Sequence, residues 1–392
     1  MKYAGHITLL TFLAFASNAL AADGFRNLLN GKNLDGWVNV NCAPETWRAT
    51  NGLVYCTGFP TGALRTTRRY ENFVLELEWR HLKSGGNAGV FVWSGPIGAP
   101  GVPFLRAVEV QVLDHGYIHA SLNKSYTTHG DVFPIHGSTM EPFGKHNGQR
   151  SFPSEQHSKG SPEWNQYRIE CNDGTLWLTV NGHKVSGGEN CNWRNGYIAL
   201  ESEGSPVEFR NIRLKELPST GATAKESAPI AQGHRSLYNG VDLRGWRDEG
   251  VHGWQASDWR LVNQGDSQEI LWSDVELKNF ELILDCKIDA RQETQPGGGI
   301  VLGHGDAGIE LIPFELLAAK DGDHAAALKK QSHGFHRLHI QVRNGVTELK
   351  INGQSFALVK SNMAYPGRAG RIGLLGSYVP IAISGMYVRE LK

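Results

Sequence analysis

The chain has 392 residues, with 39 basic and 39 acidic side chains, so its formal net charge is zero. That balance, without any basic block, excludes the electrostatic footprint of a nucleic-acid binder. Glycine at 47 residues and 11 tryptophans suit a turn-rich β protein, and the length leaves room for more than one core.

Met1-Lys2 opens onto a short apolar run that ends Ser17-Asn18-Ala19-Leu20-Ala21-Ala22. A basic start, a short apolar centre and an A-x-A site predict a secretory signal over residues 1–22, cut after Ala21 or Ala22. The run is too short to span a bilayer comfortably, and no other segment approaches its length. The mature chain is therefore expected to be secreted or periplasmic, with no membrane span.

The string LLNGKNLDGW occupies Leu28–Trp37. In ENFVLELEWR, Phe73, Leu75, Leu77 and Trp79 share one strand face, and Glu76, Glu78 and Arg80 the other. GGNAGVF and VEVQVLD come next, the latter with Val108, Val110 and Val112 on one face and Glu109 and Gln111 on the opposite one. A glycine- and proline-rich segment then holds His115, His119, His129, His136, His146 and His157, six of the sixteen histidines in the chain. Its aromatics, Tyr117, Tyr126, Phe133, Phe143 and Phe152, predict an ordered loop folded over the sheet as one wall of a pocket. Beyond it, Asn172-Asp173-Gly174 and Asn181-Gly182 read as tight hairpin turns between alternating runs. The small, polar stretch Pro218–His234 reads as a linker.

Past that linker the same unit recurs. LYNGVDLRGW at Leu237–Trp246 answers the first decamer, and Lys278-Asn279-Phe280 answers Glu71-Asn72-Phe73. Phe335–Phe356 answers Trp164–Val185, with hairpin signals at Asn344-Gly345 and Asn352-Gly353. Gly370–Leu391 answers Gly196–Leu217. The period is far too long for a solenoid, so the chain is a duplicated domain, residues 23–217 and 235–392. Period-two alternation without a long helical pattern predicts two antiparallel β-sandwiches.

The copies differ selectively. Glu109 to Trp164 spans 55 positions, whereas Glu310 to Phe335 spans 25, so the first copy carries about thirty extra residues, the histidine segment. With the strings set side by side, Glu109 keeps a counterpart in Glu310, but Gln111 becomes Ile312, Arg80 becomes Lys287 and Glu201 becomes Leu375. Asn87 has only glycine opposite it. The polar face of copy one is thus largely lost, which singles out Arg80, Asn87, Glu109, Gln111 and Glu201 as the floor of a site. Trp93 continues the alternation from Asn87 and Phe91; it is either a stacking platform or a core residue.

LLNGKNLDGW, ENFVLELEWR leading to GGNAGVF, VEVQVLD, EWNQYRIE and GYIALESEGSPVEFRNIRLKEL together resemble the 3-keto-disaccharide hydrolase domain family. The resemblance covers nearly all of residues 23–217; the second half matches only at structural signatures and reads as a degenerate copy. Membership implies an all-β fold of two tandem concanavalin A-like (jelly-roll) sandwiches, with a carbohydrate on a concave sheet face. It also implies a chemistry: a ketone at C3 acidifies the C2 hydrogen, a base removes it, and the enolate expels the glycosidic oxygen, after which water adds. That route needs a base, an acid and a group to hold the enolate oxygen.

His129 and Asp131 in THGDVFPIHG are the first candidates for acid/base work, with Glu109 as the alternative base and Arg80 for the enolate. A divalent metal would serve the same end, and Glu109, Asp114, His115, His129 and Asp131 offer ligands, though at no standard spacing. Glu109 and Glu201 also suit an ordinary two-carboxylate glycosidase. No C-x-x-C pair, G-x-S-x-G elbow or phosphate loop occurs. Cys42, Cys56, Cys171 and Cys191 can form two bridges, locally Cys42 with Cys56 and Cys171 with Cys191, while Cys286 reads as a buried thiol. The competing functions are a non-catalytic, lectin-like glycan binder and a structural protein of the cell envelope. Proton donors in the histidine segment favour an enzyme.

Overall fold

A computed structural model describes residues 23–117, 125–247, 253–265, 267–289, 297–303, 308–317, 334–356 and 369–392. The signal reading and His119 lie outside the described residues. No helix among the described residues is long and apolar enough to cross a membrane.

The first half contains β1 (Arg26–Asn27), β2 (Trp37–Val40), β3 (Trp47–Thr50), β4 (Leu53–Cys56) and β5 (Gly62–Thr66). It continues with β6 (Phe73–His81), β7 (Asn87–Ser94), β8 (Ala107–Leu113), β9 (Val132–Ile135) and β10 (Thr139–Pro142). It closes with β11 (Asn165–Asn172), β12 (Thr175–Val180), β13 (His183–Asn192), β14 (Tyr197–Ser202) and β15 (Val207–Glu216). A back sheet runs β10-β13-β12-β11-β6-β15-β4-β3, with β1 on β15, and a front sheet runs β2-β5-β14-β7-β8-β9.

The second half has β16 (Arg235–Ser236), β17 (Trp246–Arg247), β18 (Trp254–Ser257), β19 (Arg260–Asn263), β20 (Ile270–Leu277) and β21 (Phe280–Ile288). Then come β22 (Gly299–Gly303), β23 (Ile309–Pro313), β24 (His336–Arg343), β25 (Val346–Ile351), β26 (Gln354–Phe356), β27 (Gly370–Leu375) and β28 (Ile381–Glu390). Its sheets, β26-β25-β24-β21-β28-β19-β18 with β16 on β28, and β17-β20-β27-β22-β23, repeat the first pair strand for strand. Both halves are all-β sandwiches of the jelly-roll kind, each with its own buried core between two sheets. What the first copy adds are β9 and β10, both from the histidine segment. One extends the front sheet beside β8 and the other the back sheet beside β13, so the expected loop is partly strand and closes one open side of the sandwich.

The shared motifs are structural devices. Asn30 accepts the backbone N–H groups of Lys32 and Asn33, and Asn239 those of Val241 and Asp242. The Trp37 indole donates to the Leu28 carbonyl at 2.9 Å and Trp246 to that of Leu237 at 3.1 Å. The hairpin pairs Asp173-Gly174, Asn181-Gly182, Asn344-Gly345 and Asn352-Gly353 all take positive φ at both positions, as tight antiparallel hairpins require.

The halves stack front to back. Val40, Ala63, Phe91, Leu105, Ala107 and Ala199 on the outer face of the first front sheet form a cluster with Tyr387 and Ile283, from the outer face of the second back sheet. Ile283 stands where the first copy has Glu76, so the change removes a charge from the contact. The Tyr387 hydroxyl donates to Asn41 Oδ1 at 2.7 Å and accepts from the Gly98 amide at 2.9 Å. Asp285, fully buried, accepts from Gly101 and pairs twice with Arg337, which also donates to the Gly98 carbonyl. The stretch read as a linker is fastened to the first half. Glu71 accepts from Ser219, Thr220 and Ala222, Arg194 pairs with Glu226, and the Ala231 amide donates to the Tyr197 hydroxyl.

All five cysteines are buried free thiols. Cys42 sits beside Cys56 and Cys171 beside Cys191, close enough to perturb one another, and burial pushes all five thiols up. The neighbours match the local pairing read from the sequence, but no bridge joins them.

Candidate functional site

The uncovered part of the first front sheet's outer face holds a cavity of about 200 Å³, lined by Asn87, Glu109, Gln111, Glu201 and Glu203 from the sheet. Phe104, Phe133, Ile135, His136 and Arg150 supply the rest of its wall. Strand pairing explains why these side chains meet. Ala199, Phe91, Glu109 and Phe133 make one row across β14, β7, β8 and β9. The next row holds Gly89 and Gln111, with Glu201 one step beyond Leu200. Valines and leucines alternate with them toward the core. Gly89 is the required gap: a Cβ there would stand 2.8 Å from Glu201 Oε2 and 2.9 Å from Glu109 Oε1, so both carboxyls converge above it.

Glu201 is 2% and Glu109 6% exposed. Glu201 Oε2 is buried with no hydrogen-bond partner among the described residues. Burial, then the neighbouring Glu109 and Glu203, push Glu201 well above the usual carboxylate range. Burial, then Glu203, raise Glu109 to about 8, against the opposing pull of the Arg150 guanidinium. Glu203, also raised by burial, stands at about 7. Three carboxyls packed together cannot all ionise near neutral pH, so the group holds protons.

A polar chain braces them. Asp131, fully buried, accepts from Arg150 at 3.1 Å, and Arg150 donates to Gln111 Oε1 at 3.2 Å. The Gln111 amide donates to Asn87 Oδ1 at 2.9 Å, and Asn87 donates to Glu203 at 2.5 Å. Arg150 lies 3.3 Å over the Phe133 ring, and His136 stacks on Phe104 at 5.7 Å.

Asn87, Glu109, Gln111 and Glu201 from the sequence reading come together here, and Asp131 stands one residue behind. Three candidates do not join them. Arg80 lies on the outer face of the back sheet, across the core, paired with Glu208 at 2.7 Å and stacked on Trp164. Both sheets have a polar outer face, and alternation cannot tell one from the other. Trp93 is 1% exposed, in the core beside Phe73. A bulge shifts the β7–β14 register, and Trp93 takes φ 52°, which reverses the alternation there. His129 does not line the cavity. Its ring and that of His115 both bond the Ser158 hydroxyl, at 2.9 and 2.8 Å, and burial with His115 beside it lowers His129 to about 4. A ring that holds a proton so weakly is a poor base near neutral pH.

The residues offered as metal ligands also diverge. Asp114 is spent on the amides of Gly85, Gly116 and Ser161, which hold it below the usual range against the push of burial. Asp131 is spent on Thr127 and Arg150. Strand register also moves the correspondence between the copies by one residue at β8. Val90 pairs with Val110 and Leu200, and Ile300 with Ile312 and Leu374. The counterpart of Glu109 is therefore Leu311, not Glu310, and those of Glu201 and Glu203 are Leu375 and Ser377. Copy two keeps none of the three carboxyls. Sequence reasoning missed Glu203, which the alternation in LESEG places beside Glu201, and Arg150, the only arginine in the histidine segment.

Residues 24–215 match the family model described as the 3-keto-alpha-glucoside-1,2-lyase-like domain. The "3-keto-disaccharide hydrolase" of Bacteroides thetaiotaomicron is 24% identical over 234 residues, covering 50% of this chain and 79% of that relative. Among solved structures, a candidate glycosyl hydrolase of Parabacteroides distasonis is 20% identical with a TM-score of 0.40, covering 51% of this chain and 99% of its own. A β-glucanase of Bacillus licheniformis is 12% identical with a TM-score of 0.31, covering 50% and 97%. Residues 24–215 thus carry a domain similar to the 3-keto-alpha-glucoside-1,2-lyase-like domain.

Proposed function

We propose that this protein is an exported carbohydrate-active enzyme that cleaves the glycosidic bond of 3-keto glycosides in the cavity over Gly89. The observation that carries the reading is the trio of buried carboxyls at unequal proton affinities, facing one arginine. Groups pushed apart in this way divide acid and base work between them.

Glu109 in its carboxylate form takes the proton from C2 of the sugar. The electron pair of that C–H bond forms the C1–C2 double bond as the glycosidic oxygen leaves C1, with charge passing through the enolate at O3. Arg150, the cation beside Glu109, holds that oxygen. Glu201, which stays protonated, gives its proton to the departing oxygen. Water adding to the resulting enone completes a hydrolysis; release of the enone makes the reaction a lyase reaction. Asp131 and Gln111 position Arg150, and the Phe104 and Phe133 rings supply the apolar part of the wall.

Glycan binding without turnover is the second reading, favoured by the Asn87–Gln111 amide pair, which suits sugar hydroxyls with no chemistry. Incubation of the purified protein with a 3-keto disaccharide and with its unoxidised parent, following released monosaccharide, separates the two. Turnover of the keto sugar alone, lost in Glu109→Gln and Glu201→Gln, is expected. Binding of either sugar with no turnover overturns the enzyme reading. Export is tested by N-terminal sequencing of the mature protein, expected to begin at Ala22 or Asp23.

A further inference from the structure

We propose that Glu155, His157 and His183 form a surface site for a divalent transition ion of the zinc class, and that the ion ties the histidine segment to the β12–β13 hairpin. One ligand atom from each residue lies within 4.8 Å of the other two. The two imidazoles lie face to face, with centroids 3.6 Å apart and planes 5° from parallel. His157 Nε2 is 2.8 Å from Glu155 Oε2. Around a tetrahedral ion with bonds of about 2.0–2.2 Å, ligand atoms stand about 3.3–3.6 Å apart, so closing the set takes a shift of up to about 1.5 Å and a rotation that unstacks the two rings and turns both ring planes toward the ion. Glu155 and His183 are exposed and have room to make it.

The backbone already holds the two ligand-bearing segments together. Asn181, in the hairpin turn, donates to the His157 carbonyl at 2.7 Å, and the Ser154 amide donates to that of Val185 at 2.9 Å. The second half supplies an independent observation. There the hairpin turn is kept as Asn352-Gly353, but the next residue is Gln354 in place of His183, and no segment answers the one bearing Glu155 and His157. The turn belongs to the fold; the histidine occurs only where the inserted segment is present. Two imidazoles and one carboxylate select zinc, nickel or copper over calcium or magnesium, which require more oxygen ligands. The site differs from the cavity over Gly89 and shares no residue with it. Its role is to fasten the segment that carries Arg150 and Phe133.

The test is calorimetric titration of Zn²⁺ alone into the tag-free mature chain, with Ca²⁺ as a control. One equivalent of Zn²⁺ is expected, with at least tenfold weaker binding in His183→Gln and in His157→Gln, and no Ca²⁺ heat. Zn²⁺ is also expected to slow proteolysis within residues 143–164 in the wild type but not in His183→Gln, a folded variant carrying the copy-two residue. Absence of Zn²⁺ binding by the wild type, or unchanged affinity in both histidine variants, overturns the proposal.

Discussion

Replacing Glu109 by Gln tests the electrostatics of the cavity without reference to any substrate. The carboxyl moves from 4.5 in the unfolded chain to about 8 in the fold. At about 1.4 kcal/mol per unit of pKa, ionising it in place costs on the order of 5 kcal/mol. Between those pH values the unfolded chain has released a proton that the native state still binds, so stability falls as pH rises. The contribution is fully present below about pH 4.5 and is lost as pH passes through 8. Glutamine has nearly the same shape and does not titrate. Urea unfolding at pH 5 and pH 9 measures the difference, since surface pairs titrate alike in both proteins and cancel. The wild type should lose several kcal/mol more than Glu109→Gln on going from pH 5 to pH 9. The variant should be the more stable protein at pH 9. Equal losses in the two proteins would refute the assignment of Glu109 as a desolvated carboxyl.

Arg150→Lys keeps a charge beside Asp131 but loses the fork that spans Asp131 and Gln111; kcat on a keto sugar should fall by one to two orders of magnitude, with the limb of the pH–rate profile set by Glu109 displaced upward as its cation recedes. Tyr387→Phe leaves the Gly98 amide and Asn41 Oδ1 without their partner at the contact between halves, a loss of about 1–3 kcal/mol in urea unfolding with turnover rates little changed. A thiol reagent should label no cysteine of the native protein and five after unfolding without reductant. A count of one would instead establish the two bridges.

The local signals in the sequence were legible because their physics is local. An Asn-Gly turn or an Asn30-type cap works through neighbouring amides, and both recur in the two halves with the same bonds. Strand faces were legible too, but not what each face meets. Glu76, Glu78 and Arg80 alternate as cleanly as Glu109 and Gln111, yet the first set pairs with opposite charges of its own sheet on an open face and the second forms the floor of a cavity. What distinguishes them is the inserted segment, whose Phe133, Ile135, His136 and Arg150 wall the second set. Trp93 was unreadable for another reason, since one bulge inverts the parity on which the reading depends. The same sensitivity put Glu310 opposite Glu109, a slip of one residue that exchanges a core face for an outer one. Arg150 reaches the cavity from a distant stretch of the inserted segment, and no periodicity announces it.

The strapped segment Pro218–His234 changes what the contact between halves has to accomplish. Two separate sandwiches meeting through an apolar cluster, the bonds around Gly98 and Gly101, and the Thr61–Asp258 and Glu45–Arg244 pairs would bear the full entropic cost of association. Joined by a short tether, the partners face each other at an effective concentration in the millimolar range or above. Because the tether is itself bonded to Glu71, Arg194 and Tyr197, the second sandwich leaves the first from a fixed point and has little volume to search. The second sandwich covers only part of the first front sheet and leaves the rest open beside the carboxyls. The second sandwich is thus a permanent neighbour at one flank of the cavity, held by position more than by affinity.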